Sequence, residues 1–558
     1  MTTKTLSLRP YQVSMIEEAL DVLDYESTAL CIAPTGAGKT IILSQIMQGH
    51  LKTGQGRSPR RKKILVLQHT KELLQQNRDK VALWCPKVKT SLFHSEEKDT
   101  QGRIVFAMVQ TLCRHYKKFP KVDLVVIDEA HHAVAKSYLK IVNHLKEKNQ
   151  DLKILGMTAT PNRGDRQGLK SLFKSVTSQI YLSDLIGDGY LVAPRIFTVD
   201  AGQQKDLRSI LWTQDNPNGQ SRFINKQQQW DKANTVLTDN LALNEEVIRH
   251  WQEKAQGKKT VVFCSTLHHA KEIRDTFERH GIGATHINGE MPTEERLESL
   301  RRFELPKGNP HEATVITNAA VLTEGWDFPA IECVILLRPM SYEATYVQMI
   351  GRGLRSSPGK TDCIVLDFGM SSSRHKVFSM EADLVGKTDK EKPLLEEVLP
   401  FEEDYLEEDL MSSYSAPIPL KEIATHLQSP FLWEAFESET TGVEVLMAGG
   451  FNQTAFIIKR PQEHDHISLV KAGQEIQFLK TGSLNDVLFA CEKTMRQRGF
   501  WQKSAEWMYN PPSEKQLACL NGDYHYTRPR NSYQATLLVS LNLNRRKIQE
   551  AAQCTITL

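Results

Sequence analysis

The sequence predicts an α/β protein: two parallel-sheet domains in tandem, followed by a smaller C-terminal α+β region. Three observations carry this. Between residues 28 and 160, short Val-, Ile- and Leu-rich runs (TALCIAP, KKILVLQHT, GRIVFAM, VDLVVIDEA, KILGMTAT) alternate with amphipathic stretches. A second series begins near Lys258 (KKTVVFCST, GATHING, ATVITNAAV, IECVILLRP, TDCIVLDFG). From about residue 417 the order changes, and strand-like runs (TAFIIKR, HISLVKA, EIQFLK) precede helix-like ones (SLNDVLFACEKTMRQRG, SEKQLACL, RRKIQEAA). Apolar runs alternating with helical stretches mark a buried parallel sheet with crossover helices, whereas grouped strands followed by helices mark an α+β unit.

The expected boundaries follow from composition. The first domain covers 1–199 and the second 230–372, joined by a polar insertion at 200–229 rich in Gln and Asn. Residues 373–416 read as an acidic linker, since 381–409 hold twelve acidic side chains against three lysines. The region 417–558 closes the chain as an accessory domain.

Bulk properties narrow the class. A chain of 558 residues is long enough for three or four domains, and 40% apolar with 25% charged residues is ordinary globular composition. A net charge of +3 confines any nucleic-acid surface to a local patch. Nine scattered cysteines without a Cys-x-x-Cys pair argue against a zinc ribbon and suit a reducing compartment. With no apolar stretch behind MTTKTLSLRPYQ and no run of about 18 apolar residues, the expectation is a cytoplasmic protein with no membrane span.

Taken in order, the first apolar run ends in A-P-T-G-A-G-K-T, Ala33 to Thr40, and a helical stretch follows. This fits the phosphate-binding P-loop, except that Ala33 replaces its first glycine. With Pro34 opening the loop, Gly36 and Gly38 would let the backbone bend so that the successive N–H groups of Thr35, Gly36, Ala37 and Gly38 face a phosphate. Lys39 would reach the β- and γ-phosphates of ATP, and Thr40 would offer its hydroxyl to Mg²⁺. The run VVIDEAHH places Asp128 and Glu129 side by side at the end of a buried strand. Two adjacent carboxylates there need a compensating cation. Asp128 fits the aspartate that holds Mg²⁺, and Glu129 the group that orients or deprotonates the attacking water. His131 would sense the γ-phosphate; taken alone, His131 or His132 reads more often as an ordinary surface histidine.

A second α/β domain means that chemistry can be completed across a cleft. Its last part carries Q-M-I-G-R-G-L-R, with Gln348, Arg352 and Arg355 in Q-x-x-G-R-x-x-R spacing. Arginine stays charged and presents a planar fork of donors, which suits a transferring phosphate. Taken by itself the run is equally a basic surface helix.

With these residues in place, the chain resembles superfamily 2 helicases of the DEAD/DEAH type, whose core is two RecA-like domains. L-R-P-Y-Q resembles the adenine-reading motif, with Arg9 and Gln12 at the base. Ala33–Thr40 is similar to motif I, Q-H-T-K-E-L to Ia, V-Q-T-L to Ic, D-E-A-H to II and T-A-T-P to III. V-F-C-S-T is similar to IV, T-N-A-A-V-L-T-E-G-W-D to V, and Gln348–Arg355 to VI. The resemblance covers roughly residues 5 to 370. It implies a nucleic-acid-stimulated ATPase using ATP and Mg²⁺. It also implies Thr158 and Thr160 as links between the ATP site and the interlobe contact, and Glu324, Gly325 and Asp327 near the nucleotide. His69, Thr111, Thr266 and Thr317 would contact strand phosphates, which hold register without reading sequence; a buried threonine would instead be packing.

Within the superfamily, T-A-T-P and Q-M-I-G-R-G-L-R differ from the S-A-T and H-R-x-G-R of DEAD-box RNA helicases. The chain is similar to the branch of restriction motors and excision-repair helicases, and Val347–Gly369 especially to bacterial RadD-like DNA helicases. That implies a DNA helicase or translocase in repair, recombination or replication, bacterial, phage- or plasmid-borne, with 3′ to 5′ polarity implied only by the branch. An RNA helicase or remodeller, or an ATP-driven motor subunit of a defence or restriction complex, stays open. Some RadD-like helicases carry a cysteine-rich module that this chain lacks.

Three local stretches remain two-sided. R-S-P-R-R-K-K, Arg57 to Lys63, is a phosphate contact or a solvated loop. G-F-W-Q-K-S-A-E-W-M-Y (Gly499 to Tyr509), with Arg496 and Arg498 upstream, is a base-stacking surface or a small core; Tyr524 to Arg530 is similar. DNA is the expected partner, single-stranded or forked, with a protein partner possible through the C-terminal region. D-K-E-K near Asp389 lacks a strand context, which argues against a nuclease.

Overall fold

The computed structural model describes residues 7–52, 62–159, 169–199, 241–319, 322, 326, 328–338, 340, 343–369, 371–373, 377–378, 420–437, 443–450, 452–460, 465–500, 506–520 and 529–552. It contains two α/β sheets and one antiparallel sheet, as the sequence predicts.

The first sheet is built from β1 (Thr28–Ile32), β2 (Ile64–Gln68), β3 (Thr90–Phe93), β4 (Ile104–Met108), β5 (Leu124–Asp128), β6 (Lys153–Thr158) and β7 (Ser178–Gln179). Its order is β3-β4-β2-β5-β6-β1-β7, with every neighbouring pair parallel. β2 and β5 are buried at every position, and β1, β4 and β6 at all but one. That continuous burial reflects helices covering both faces of a parallel sheet. Each fully buried Leu, Ile or Phe contributes about 1.5–3 kcal/mol. The consequence for function is registry. β2, β5, β6 and β1 are consecutive neighbours, so Gln68, Asp128, Thr158 and Ala33 emerge side by side at one carboxyl edge. Ala33 N donates to Thr158 O at 2.9 Å, carrying the ladder one residue past β1.

The next strands are β8 (Ala193–Val199), β9 (Thr260–Cys264), β10 (Ala284–Ile287), β11 (Val315–Asn318), β12 (Cys333–Leu337), β13 (Asp362–Asp367) and β14 (Leu420–Ile423). They form the second sheet in the order β10-β11-β9-β12-β13-β8-β14. Phe197, Trp251, Phe277 and Phe368 join the aliphatic core of this lobe. The first lobe was expected to run to residue 199. In the structure its sheet ends at β7, and β8 belongs to the second sheet. Tyr181–Ile196 groups with the C-terminal unit, because helix Leu182–Gly187 packs on helix Leu484–Gln497. The insertion 200–229 and linker 373–416 fall almost wholly outside the described residues.

The C-terminal unit holds a meander of β15 (Glu434–Glu437), β16 (Glu444–Gly449), β17 (Gln453–Lys459), β18 (His466–Ala472) and β19 (Glu475–Gly482), each antiparallel to the next. Alternation sends Val445, Met447, Phe456 and Ile458 to one face, against helix Ser532–Ala552. Leu446, Ala448, Ala455 and Ile457 go to the other, against helix Leu484–Gln497. Phe500 and Met508 are buried in these two cores. Arg496, raised with Arg498 as a candidate beside stacked bases, is instead buried and paired with Asp184, and its guanidinium lies 4.4 Å from the Tyr181 ring centroid. An arginine enclosed in that way cannot meet a strand. Residues 501–505 and 521–528 lie outside the described residues.

Candidate ATP site

The loop between β1 and helix Lys39–Lys52 turns on two glycines. Gly36 has φ 90° and Gly38 φ 79°, values costly for any residue with a Cβ. A Cβ on Gly38 would also stand 2.6 Å from Gln12 Nε2. Gln12 is buried; its Nε2 donates to Ala37 O at 3.0 Å, and its Oε1 accepts from Arg9 N at 3.0 Å. Tyr11 OH donates to the same Ala37 carbonyl at 2.8 Å. Arg9 Nη1 donates to Tyr11 OH at 3.1 Å. Gln12 and Tyr11 thus both tie the helix they stand on to the P-loop. Pro34, Thr35 and Ala37 are buried; Gly36, Gly38, Lys39 and Thr40 are half-buried at the loop's open side.

Asp128 and Glu129 sit opposite this loop. Lys39 Nζ lies 3.4 Å from Glu129 Oε1, and His131 Nδ1 3.5 Å from Glu129 Oε2. Glu129 has φ 52°, the left-handed region, alone among described non-glycine residues. Side chains enter that region at a cost, and such outliers gather at functional sites. His131 Nδ1 is also 3.1 Å from Thr158 Oγ1, which joins the two motifs.

Asn77 bridges the two groups expected to hold a metal. Its Nδ2 donates to Asp128 Oδ2 at 2.7 Å, and its Oδ1 accepts from Thr40 Oγ1 at 3.1 Å. Gln68 Nε2 makes a longer contact to the same Asp128 oxygen, 3.4 Å. Neither Asn77 nor Gln68 was singled out in the sequence. Burial, and then the neighbouring Glu129, push the Asp128 carboxyl up to about 6, against the pull of Lys39 and Asn77. Glu129 Oε2 and Gln68 Oε1 are buried without a hydrogen-bond donor or acceptor. A buried carboxylate beside a half-buried one, with one lysine for the two negative charges and a hydroxyl nearby, is the oxygen-rich setting that a small divalent cation fits.

From the second lobe, helix Glu343–Gly351 brings buried Gln348 and, just beyond it, Arg352. Arg352 Nη1 donates to Trp326 O at 2.6 Å, so motif VI is tied to motif V. Lys360 Nζ donates to Gly353 O at 2.5 Å and Arg355 O at 2.7 Å, holding the turn that carries half-buried Arg355. Lys360 too was missed.

The residues expected on a strand divide. Thr266 is exposed at the end of β9 and caps helix Leu267–Arg279, accepting from His269 N at 3.1 Å. His69 and Thr111 are half-buried beyond the ends of β2 and β4. Thr317 is a correction. It is fully buried in β11, between β10 and β9, and its hydroxyl donates to Ala270 O at 2.6 Å, so it packs the lobe and offers nothing to a phosphate. Lys62 and Lys63 of the basic loop donate to His50 O and Thr100 O. Thr160, Glu324, Gly325 and Asp327 lie outside the described residues.

Residues 5–163 match the family of the type III restriction enzyme res subunit, and residues 239–357 the helicase conserved C-terminal domain. The putative ATP-dependent helicase IRC3 of Saccharomyces cerevisiae is 28% identical over 383 residues, 66% of this chain and 52% of that protein. The putative mitochondrial ATP-dependent helicase irc3 of Schizosaccharomyces pombe is 28% identical over 372 residues, 65% of this chain and 57% of that protein. A solved fragment of a putative HsdR subunit of a type I restriction enzyme from Vibrio vulnificus YJ016 is similar with TM-score 0.49 and 23% identity, covering 68% of this chain and 67% of that one. The fold and the site define a superfamily 2 helicase core. Such a core here joins a first domain that matches the restriction res subunit to a second that matches the helicase C-terminal domain. It spans just over half the length of the two curated relatives named here. Among the described residues, no helix is long and apolar enough to cross a membrane.

Proposed function

We propose that the protein is an ATP-dependent DNA helicase or translocase that couples ATP hydrolysis in the interlobe cleft to movement along DNA. The observation that carries the reading is the P-loop lying opposite Asp128 and Glu129, with Asn77 joining Thr40 to Asp128. Lys39 holds the terminal phosphates, and Glu129 orients the attacking water and accepts its proton. The Thr40 hydroxyl and the Asp128 carboxylate would hold Mg²⁺, which when bound would supply neutralisation of the phosphate charge. Gln348, Arg352 and Arg355 complete the site from the second lobe, and Thr158 with His131 relays its state. His69, Thr111 and Thr266 meet the strand's phosphates. The similarity of Val347–Gly369 to RadD-like helicases supports DNA as the strand and repair, recombination or replication as the setting, in the cytoplasm. A restriction-motor role is the second reading, favoured by the family matched over residues 5–163.

The test is ATP hydrolysis with no nucleic acid, single-stranded, duplex or forked DNA, or RNA, with Lys39→Ala as control. Strong stimulation by DNA alone, abolished in Lys39→Ala, is expected. Stronger stimulation by RNA would overturn the DNA assignment. No stimulation of a competent ATPase would favour the partner-dependent motor.

A further inference from the structure

Three imidazoles stand in series between the end of β2 and the ATP site. The His69 ring centroid is 4.7 Å from that of His132, with planes at 55°; His132 is 4.1 Å from His131, with planes at 48°. His131 ends the series at two groups of the site, Thr158 Oγ1 and Glu129 Oε2. His132 is the middle ring.

We propose that His132 is a positioning residue that transmits strand contact at His69 to the orientation of Glu129. This rests on the reading of the protein as a nucleic-acid-stimulated ATPase. Close-packed rings do not turn independently, because packed interiors have little free volume and displacement of one group is passed to the next. A phosphate oxygen accepting from His69 fixes the plane of that ring. The plane of His132 follows, and with it the plane of His131, whose Nδ1 faces both the Thr158 hydroxyl and the Glu129 carboxylate. Glu129 sits in left-handed backbone, a conformation that persists only where surrounding contacts hold it. The two sites thus acquire a coupling free energy through one connected set of rings.

The experiment compares wild type with His132→Ala, His132→Leu and His132→Phe. It reads basal ATPase, the stimulated-to-basal ratio with single-stranded DNA and RNA, and nucleic-acid affinity. His132 is half-buried, so truncation is tolerated; leucine retains bulk without a planar ring should alanine destabilise the lobe. The expected result is basal ATPase and affinity within about twofold of wild type. The stimulated-to-basal ratio should fall about fivefold or more in His132→Ala and His132→Leu, and recover largely in His132→Phe. A wild-type ratio in His132→Leu, or a phenylalanine variant as poor as leucine, overturns the relay alone. A wild type that no nucleic acid stimulates overturns the functional reading, and the relay falls with it.

Discussion

Gly351 of the second lobe lies directly against Thr35 of the P-loop: a Cβ built on Gly351 would stand 2.9 Å from Thr35 Cβ and 3.4 Å from its Oγ1. No flexible side-chain end is there to yield. Gly351→Ala should therefore hold the lobes slightly apart just where motif VI meets motif I. Overpacking of this kind costs about 1–3 kcal/mol, and each 1.4 kcal/mol is about tenfold in rate. We expect kcat to fall about tenfold or more, with ATP affinity of the first lobe and the melting temperature nearly unchanged. Steady-state kinetics with a fluorescent-nucleotide titration checks this, and full activity in Gly351→Ala would refute the close contact.

Asn77 holds Asp128 and Thr40 at once, and support of metal ligands from behind commonly alters metal affinity by about 10- to 100-fold. Asn77→Leu keeps the volume but removes both hydrogen bonds. The Mg²⁺ concentration for half-maximal ATPase should rise by about that factor, while saturating Mg²⁺ restores most of the rate. A variant with unchanged Mg²⁺ dependence would show that Asp128 needs no such support.

The difference between Asp128 and Asn77 explains what could be read in advance. P-loop and DEAH chemistry is local: a strand, a turn and a few side chains in fixed spacing state it in the sequence itself. Asn77 lies within helix Lys71–Trp84, in KELLQQNRDKVALW, where an asparagine among polar residues reads as solvated. Only the packing of that helix behind the P-loop gives it two partners. Thr317 fails for the converse reason. VITN is a short strand buried at every position between two others, so its threonine is drawn inward to a backbone carbonyl. Arg496 was placed with aromatics by proximity in sequence, whereas its partner Asp184 is 312 residues away.

Glu129 combines a left-handed backbone with a charge beside a buried carboxylate, and both oppose stability. Glu129→Gln removes the charge and keeps the shape. The first lobe should become more stable, by about 1 kcal/mol after loss of the Lys39 contact. Meanwhile ATPase should drop by about 10²–10⁴, the usual worth of a general base. Differential scanning calorimetry and initial rates together decide it. A less stable, equally inactive variant would assign Glu129 a structural role.

Glu492 supplies a pH-dependent prediction in the C-terminal unit. It is fully buried on helix Leu484–Gln497, and burial pushes its carboxyl from an ordinary 4.5 to about 7; Asp184 adds to this, while the nearby Ser429, Arg496 and Ser183 oppose it. The folded state thus binds the Glu492 proton more tightly than the unfolded state does. Above pH 7 the folded unit carries the full cost of a buried carboxylate. As pH falls through 7 toward 4.5 that cost is relieved, and below 4.5 both states are protonated and nothing more is gained. The shift corresponds to on the order of 3 kcal/mol. Glu492→Gln keeps the shape of the side chain, removes its charge and leaves Arg496 paired with Asp184. The variant should therefore melt higher than wild type at pH 8, with the difference shrinking through pH 6 and closing toward pH 4. Thermal melts across that range measure it. A wild type more stable than Glu492→Gln at pH 8 would mean that the pull of Arg496, 3.7 Å from Glu492 Oε2, outweighs the cost of burial.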